Sequence, residues 1–68
     1  MSDLTLLIKN GIYAQYKSVS LFAKAVGIPA STINSALSKG IENSRFEMVL
    51  KMAKALHISK EELMTVLY

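Results

Sequence analysis

Short polar side chains recur at a regular spacing in the middle of this chain. Four of them stand at positions i, i+3, i+4 and i+7, which share one face of a helix: Ser31, Asn34, Ser35 and Ser38. The chemistry that hydroxyl and amide groups offer on such a face is hydrogen bonding. Base edges in the DNA major groove are suitable partners, because asparagine can pair with N6 and N7 of adenine and serine can donate or accept at several bases.

A second interpretation of these residues is a helix face that is simply solvated. Serine and asparagine are poor helix formers, however, and a solvated helix more often carries Glu, Lys and Gln. We therefore predict that this face reads bases, with Ala30 at its N-terminal end packing on a thymine methyl group. The predicted base-reading residues are Ala30, Ser31, Asn34 and Ser35.

Basic and donor-rich residues lie on either side of the predicted reading helix. Upstream, Lys17 stands beside Ser18, where the free N–H groups of a helix N-terminus can bind an anion. Downstream, residues 38–45 offer hydroxyl, amide, backbone and cationic groups. Phosphate contacts of this kind position a protein on DNA and make its affinity fall as salt rises. The predicted phosphate-binding residues are Lys17, Ser18, Thr32, Ser38, Lys39, Asn43 and Arg45.

The elements that must position these residues are two short helices joined by a tight turn. Gly27 can adopt the positive φ that ends the first helix, and Ala23 is small where the second helix must come close. We expect Ile28 and Ile33 to fill the space between the two helices. The pattern is typical of a helix-turn-helix, in which the second helix lies in the major groove of DNA.

Five helices account for nearly the whole chain, and no segment alternates like a strand. We expect the first helix over residues 2–16 and the second after an N-cap at Ser18. The third covers residues 30–38, with Ile33 and Leu37 pointing inward. The sequence therefore predicts an all-α fold, formed as a single domain over residues 1–68.

Two capping boxes predict where the last two helices begin. Ser44 and Glu47 open the fourth helix after a loop at residues 39–43, and Ser59 and Glu62 open the fifth. We expect His57 to adopt a positive φ just after the fourth helix. The predicted buried positions of the fourth helix are Phe46, Val49, Leu50, Ala53 and Leu56.

Composition restricts the class of protein. The chain has 68 residues, of which 51% are apolar, and no cysteine, so we expect one domain with a real core and no disulfide. No run approaches the roughly 20 apolar residues of a membrane span, and the first residues do not resemble a signal peptide. We expect a cytoplasmic protein that binds no membrane.

The charge is concentrated in the middle of the chain. Between residues 4 and 60 there are eight basic and two acidic side chains, which gives this segment a net charge of eight minus two, or +6. The acidic residues Asp3, Glu61 and Glu62 lie near the ends. This distribution favours a polyanionic partner.

The sequence offers no catalytic or metal-binding arrangement. His57 stands alone, and the adjacent Glu61 and Glu62 point in different directions on a helix, so they cannot form an acid–base pair. We therefore expect neither an enzyme nor a bound metal or cofactor, and we see no sign of a small-molecule ligand.

Over about residues 7–63 the chain resembles the lambda-repressor-like, Cro/C1-type (XRE) helix-turn-helix family. The resemblance is carried by Phe22-Ala23 and Gly27-Ile28, and by the segment from Val49 to Ser59 followed by Glu61-Glu62-Leu63. It implies a compact five-helix domain with the helix-turn-helix at helices 2 and 3. It also implies a sequence-specific, double-stranded DNA-binding transcriptional regulator, a repressor, encoded by a bacterium or a phage.

Three residues depart from the pattern of that family. The first position of the second helix is Val19, where the family often has a glutamine that contacts phosphate. Position 37 is usually glutamate and is Leu37 here, while Ala36 replaces a larger aliphatic residue. We expect Leu37 to fill the space that Ala36 leaves.

Two other functions remain open. The nearly uncharged reading helix and Val19 would also fit a protein-interaction module, such as an antitoxin or antirepressor, that keeps the fold without specific DNA binding. The chain could also be the DNA-binding part of a larger repressor, which would change its regulation but not its contact with DNA.

The last predicted helix has apolar side chains on most of its circumference. Only Leu63 and Leu67 are needed inside, and exposed apolar clusters usually mark a contact. In the family that the chain resembles, a terminal helix often forms the dimer interface. We therefore predict a homodimer whose interface includes Met64, Val66, Leu67 and Tyr68.

Overall fold

Apolar residues at every third or fourth position fold this chain into helices that share one core. The computed structural model describes the backbone of residues 3–67 and the side chains of residues 3–65. All the regular structure in this part of the chain is helical, as predicted. The elements are α1 (Asp3–Gln15), α2 (Val19–Val26), α3 (Ala30–Lys39), a 3₁₀ turn (Ile41–Asn43), α4 (Phe46–Ala55) and α5 (Lys60–Leu67).

The core takes one or more large side chains from every helix and from the 3₁₀ turn. Tyr16 and Phe22 pack ring against ring, with centroids 5.1 Å apart and planes inclined by 59°. Fully burying a large apolar side chain contributes roughly 1.5–3 kcal/mol to folding. The residues at the centre of the core are Ile8, Ile12, Phe22, Ile33, Ile41, Met52 and Leu56.

The connection between α2 and α3 is short and hydrogen-bonded. The Ser18 hydroxyl oxygen accepts the Leu21 N–H over 3.2 Å at the start of α2. At its end, Gly27 has the left-handed φ of 73°, and its N–H donates to the Ala23 carbonyl over 2.9 Å. Both features are as predicted, and the turn at Gly27 sets the direction in which Pro29 leads the chain into α3.

The inward side of α3 differs in part from the prediction. Ile33 is fully buried as expected, but the other buried residue is Ala36, with 5% of its surface exposed. Leu37 is only half-buried and packs on the edge of the core. The small Ala36 side chain therefore occupies the inward position, and Leu37 does not take its place.

The start of α4 contradicts two predictions. The Ser44 N–H donates to the Ile41 carbonyl over 2.9 Å and closes the 3₁₀ turn. This turn delays α4, whose N-cap is Arg45 with no side-chain hydrogen bond, so the capping box predicted at Ser44 is wrong. Phe46 becomes the first residue of α4 and is 62% exposed, so its predicted burial is wrong as well.

The predicted start of α5 is confirmed. The Ser59 hydroxyl oxygen accepts the Glu62 N–H over 3.1 Å, which is the capping bond expected one turn before the apolar residues. Just upstream, His57 has the predicted positive φ, at 58°. Leu63 then packs into the core with 5% of its surface exposed.

Two side chains on α1, and that of Tyr16 directly after it, bind main-chain groups about 40 residues away. Thr5 is fully buried, and its Oγ1 accepts the Ile41 N–H over 2.9 Å. At the other end of α1, Gln15 Nε2 donates to the Leu56 carbonyl over 2.7 Å. The hydroxyl of Tyr16 donates to the Ala55 carbonyl over 3.2 Å. These bonds hold the 3₁₀ turn and the end of α4 against α1.

The bond between Thr5 and Ile41 gives a test of this arrangement. Thr5→Val keeps the shape of the side chain but leaves the buried Ile41 N–H without its acceptor. We expect the free energy of unfolding, measured by urea denaturation, to fall by about 1–3 kcal/mol. Thr5→Ser is the control, because it keeps the hydroxyl and should lose about 1 kcal/mol or less. Equal loss in both variants would contradict the role given to the hydroxyl.

Candidate nucleic-acid interface

The outward side of α3 carries four short polar side chains, as predicted. All four are exposed, and we refer to them as the α3 face: Ser31, Asn34, Ser35 and Ser38. Within the described part of the chain, none of these side chains donates or accepts a hydrogen bond. The α3 face therefore keeps its full hydrogen-bonding capacity for an external partner.

Many polar side chains elsewhere in the protein are bonded to its own backbone. The Thr65 hydroxyl donates to the Glu61 carbonyl over 2.8 Å, a bond that serines on a helix also commonly form. Ser18 and Ser59 both accept N–H groups at helix starts. Within the described residues the serines of α3 make no such bond, so three unbonded hydroxyl groups and the Asn34 amide are grouped on one face of one helix.

Ala30 lies at the rim of the α3 face. It is the first residue of α3, and it is half-buried and packs against the core. Three of the four predicted base-reading residues are thus exposed to solvent, namely Ser31, Asn34 and Ser35. Ala30 is exposed only in part.

An open groove of about 300 Å³ runs beside the α3 face, between α3 and the start of α4. We refer to it as the α3–α4 groove. No carboxylate lines it, whereas two cations and several hydroxyl groups do. The lining residues are Thr32, Ser35, Ala36, Lys39, Asn43, Ser44, Arg45 and Met48. The fold thus brings together five residues that were predicted separately as DNA contacts: Thr32, Ser35, Lys39, Asn43 and Arg45.

Hydrogen bonds hold the loop that forms one wall of this groove. Asn43 Nδ2 donates to the Lys39 carbonyl over 2.9 Å and so completes the C-terminal end of α3. The Asn43 N–H donates to the Gly40 carbonyl over 3.0 Å, and Gly40 has a φ of 106°, a conformation that favours glycine. Part of the hydrogen-bonding capacity of Asn43 is therefore used within the fold, and the wall is already formed.

The two upstream phosphate candidates lie at the start of α2 and do not line the groove. Ser18 uses its oxygen to cap α2, which leaves its hydroxyl proton for an external acceptor. Lys17 has a φ of 70°, an unusual value for a residue that is not glycine. Ser38 also lies outside the groove, on the α3 face.

A second, smaller cavity of about 190 Å³ adjoins Arg45 and Met48. Ile28, Glu47 and Lys51 complete its lining. This cavity could not be predicted from the sequence, because it joins the turn before α3 to the outer side of α4. Since Glu47 lines it, the cavity is less suited to an anion than the α3–α4 groove.

The predicted dimer surface is described only in part. Met64 is 51% exposed on α5, in agreement with an outward position. Val66 and Leu67 belong to α5, but their side chains lie outside the described residues, and Tyr68 lies outside them altogether.

The described residues contain neither a metal-binding group of side chains nor a membrane-spanning helix. Nowhere in residues 3–65 do three His, Cys, Asp or Glu side chains form a group that could hold a metal ion. No helix in the described chain is long and apolar enough to cross a membrane.

Comparison with known proteins identifies no relative of this chain. No family model, curated protein or solved structure matches the chain. The resemblance to the Cro/C1-type family therefore stays a hypothesis, and the function is inferred from the α3 face and the α3–α4 groove themselves.

Proposed function

We propose that this chain is a sequence-specific, double-stranded DNA-binding protein that regulates transcription, as a repressor. In this proposal α2 and α3 form a helix-turn-helix of the lambda-repressor-like type, and α3 enters the major groove. The observation that carries it is the α3 face, whose four polar side chains make no hydrogen bond within the described residues. A helix with its side chains is about 10–12 Å in diameter, and the polar side chains of α3 are short, so α3 can enter a groove about 12 Å wide.

The residue types of the α3 face support this proposal on energetic grounds. Serine and asparagine each destabilise a helix interior by roughly 0.5 kcal/mol relative to alanine. Within the described chain none of the four side chains makes a hydrogen bond that would offset this cost. A helix selected only for folding would be more stable with alanine at these positions. Residues that lower stability and make no compensating contact in the fold are typical of functional surfaces.

The α3–α4 groove supports the same proposal through its charge. Lys39 and Arg45 supply two cations, and Thr32 and Ser44 supply hydroxyl donors, with no carboxylate in the lining. These are the groups that bind phosphate oxygens. Because the groove adjoins the α3 face at Ser35, a DNA strand could be held there while α3 contacts its bases.

We further propose that the protein acts as a homodimer through α5. Met64 is exposed on this helix, and a two-fold pair would place two copies of α3 about one DNA turn, roughly 34 Å, apart. A dimer that covers two half-sites can block transcription by occupying the DNA, in the cytoplasm of a bacterium or of a phage-infected cell.

One observation favours a protein-interaction module as the second candidate. Several large apolar side chains are strongly exposed, and none of them lies on α3: Leu6, Tyr13, Leu21, Phe46 and Met64. A module that bound a protein through these residues would not need the α3 face. Substitutions on α3 therefore separate the two functions.

The first prediction from the proposed function concerns the double variant Ser31→Ala with Ser35→Ala. We expect its free energy of unfolding to rise by up to about 1 kcal/mol, because alanine favours the helix and no internal hydrogen bond is lost. We expect its affinity for a selected DNA site to fall at least about fivefold, because two possible base contacts are removed. Asn10→Ala, which changes an exposed residue of α1, is the control and should leave DNA affinity unchanged. Unchanged DNA affinity in the double variant would contradict base contact by α3.

The second prediction concerns the two cations of the groove. Removing both with Lys39→Ala and Arg45→Ala should make the slope of log affinity against log salt less negative, by about 1.8 for each bound protomer and about 3.6 for the proposed dimer, since each phosphate contact contributes about 0.9. Lys54→Ala with Lys60→Ala changes the net charge equally, but neither lysine lines the groove. Fluorescence anisotropy over a range of salt concentrations compares the two pairs. If both pairs changed the slope equally, net charge alone would explain binding and the groove would have no special role.

A further inference from the structure

We infer that the base pair discriminated most strongly by α3 is an A·T pair, with the adenine read by Asn34. The DNA site that this protein selects then needs an adenine at one position of each half-site. A guanine at the positions facing α3 is not needed for binding. This inference rests on the proposed function, and it adds the class of DNA sequence that the protein selects.

Asn34 is the member of the α3 face that can make two directed bonds to one base. Its amide can donate to N7 and accept from the N6 amino group of adenine, the pairing geometry by which asparagine discriminates this base. The serines at positions 31, 35 and 38 each carry one hydroxyl, which can donate or accept at more than one base edge. Discrimination is therefore concentrated at Asn34.

The side chain of Asn34 is free to make this contact. It is exposed, and it makes no hydrogen bond within the described chain. The other asparagine beside α3, Asn43, already donates to the Lys39 carbonyl over 2.9 Å. Asn34 thus keeps both amide groups available, whereas part of the Asn43 amide is committed.

The neighbours of Asn34 allow a close approach to the bases. One turn away in either direction are Ser31 and Ser38, and Ser35 follows directly. An asparagine side chain is short, so it reaches a base edge only if its helix lies deep in the groove. Longer exposed residues at the neighbouring positions would prevent this. The one longer side chain a turn away, Leu37, is half-buried and packs against the core.

The cations of this region are placed away from the centre of α3. Strong discrimination of guanine depends on an arginine or lysine that reaches O6 and N7. Lys39 is the last residue of α3, and both it and Arg45 line the α3–α4 groove. No cation lies between Ala30 and Ser38, so α3 has no comparable contact to offer to guanine.

The test combines selection with a change of single atoms. Duplexes selected from a randomised pool by the full chain give the preferred site. Each conserved adenine is then replaced by 7-deazaadenine, which lacks the N7 acceptor. Affinities are measured for the natural protein, for Asn34→Ala, and for Asn10→Ala, which removes another exposed asparagine, on α1. Circular dichroism during heating checks that each variant is folded.

We expect a conserved A·T pair in each half-site, and one adenine at which 7-deazaadenine weakens binding by the natural protein and by Asn10→Ala. Asn34→Ala should lose about 5- to 150-fold of its preference for that pair and should not respond to 7-deazaadenine there. A conserved G·C pair as the strongest determinant would overturn the inference and leave DNA binding intact. So would a preference for adenine that survives Asn34→Ala. If no duplex is enriched, the proposed function fails, and the inference fails with it.

Discussion

The burial of Ile33 and Ala36 on one side of α3 is the constraint on which the candidate interface depends. These two residues, three positions apart, fix the rotation of α3 about its own axis, so the opposite side must face solvent. The turn at Gly27 then sets the direction of α3 relative to α2, its principal neighbour in the fold. With rotation and direction both fixed, the side chains of the α3 face point to solvent and make no hydrogen bond in the part of the chain that the structure describes.

Features governed by neighbouring residues could be predicted from the sequence. The caps at Ser18 and Ser59 and the positive φ at Gly27 and His57 depend on side chains or backbone within four residues. The exposure of the α3 face follows from the 3.6-residue repeat. In these places the local preference and the tertiary structure agree.

Features that depend on distant parts of the chain were missed. The N–H of Ile41 finds its acceptor 36 residues away, in Thr5, and this bond helps to hold the 3₁₀ turn in place. That turn moves the start of α4 past Ser44, which explains both the failed capping box and the exposed Phe46. The sequence did not predict that the residues of the α3–α4 groove lie together. Thr32 and Arg45 are 13 positions apart in the chain, and the 3₁₀ turn between them brings both to the same groove.

The central claim is that the α3 face and the groove together bind DNA with sequence preference. The most direct test measures fluorescence anisotropy with a randomised duplex pool and with a selected duplex, at about 50 mM and about 200 mM salt. The proposed function predicts tighter binding to the selected duplex at both concentrations and weaker binding to both duplexes at high salt. Absent binding, or equal binding to the two duplexes, would contradict it and would direct attention to the exposed apolar residues outside α3.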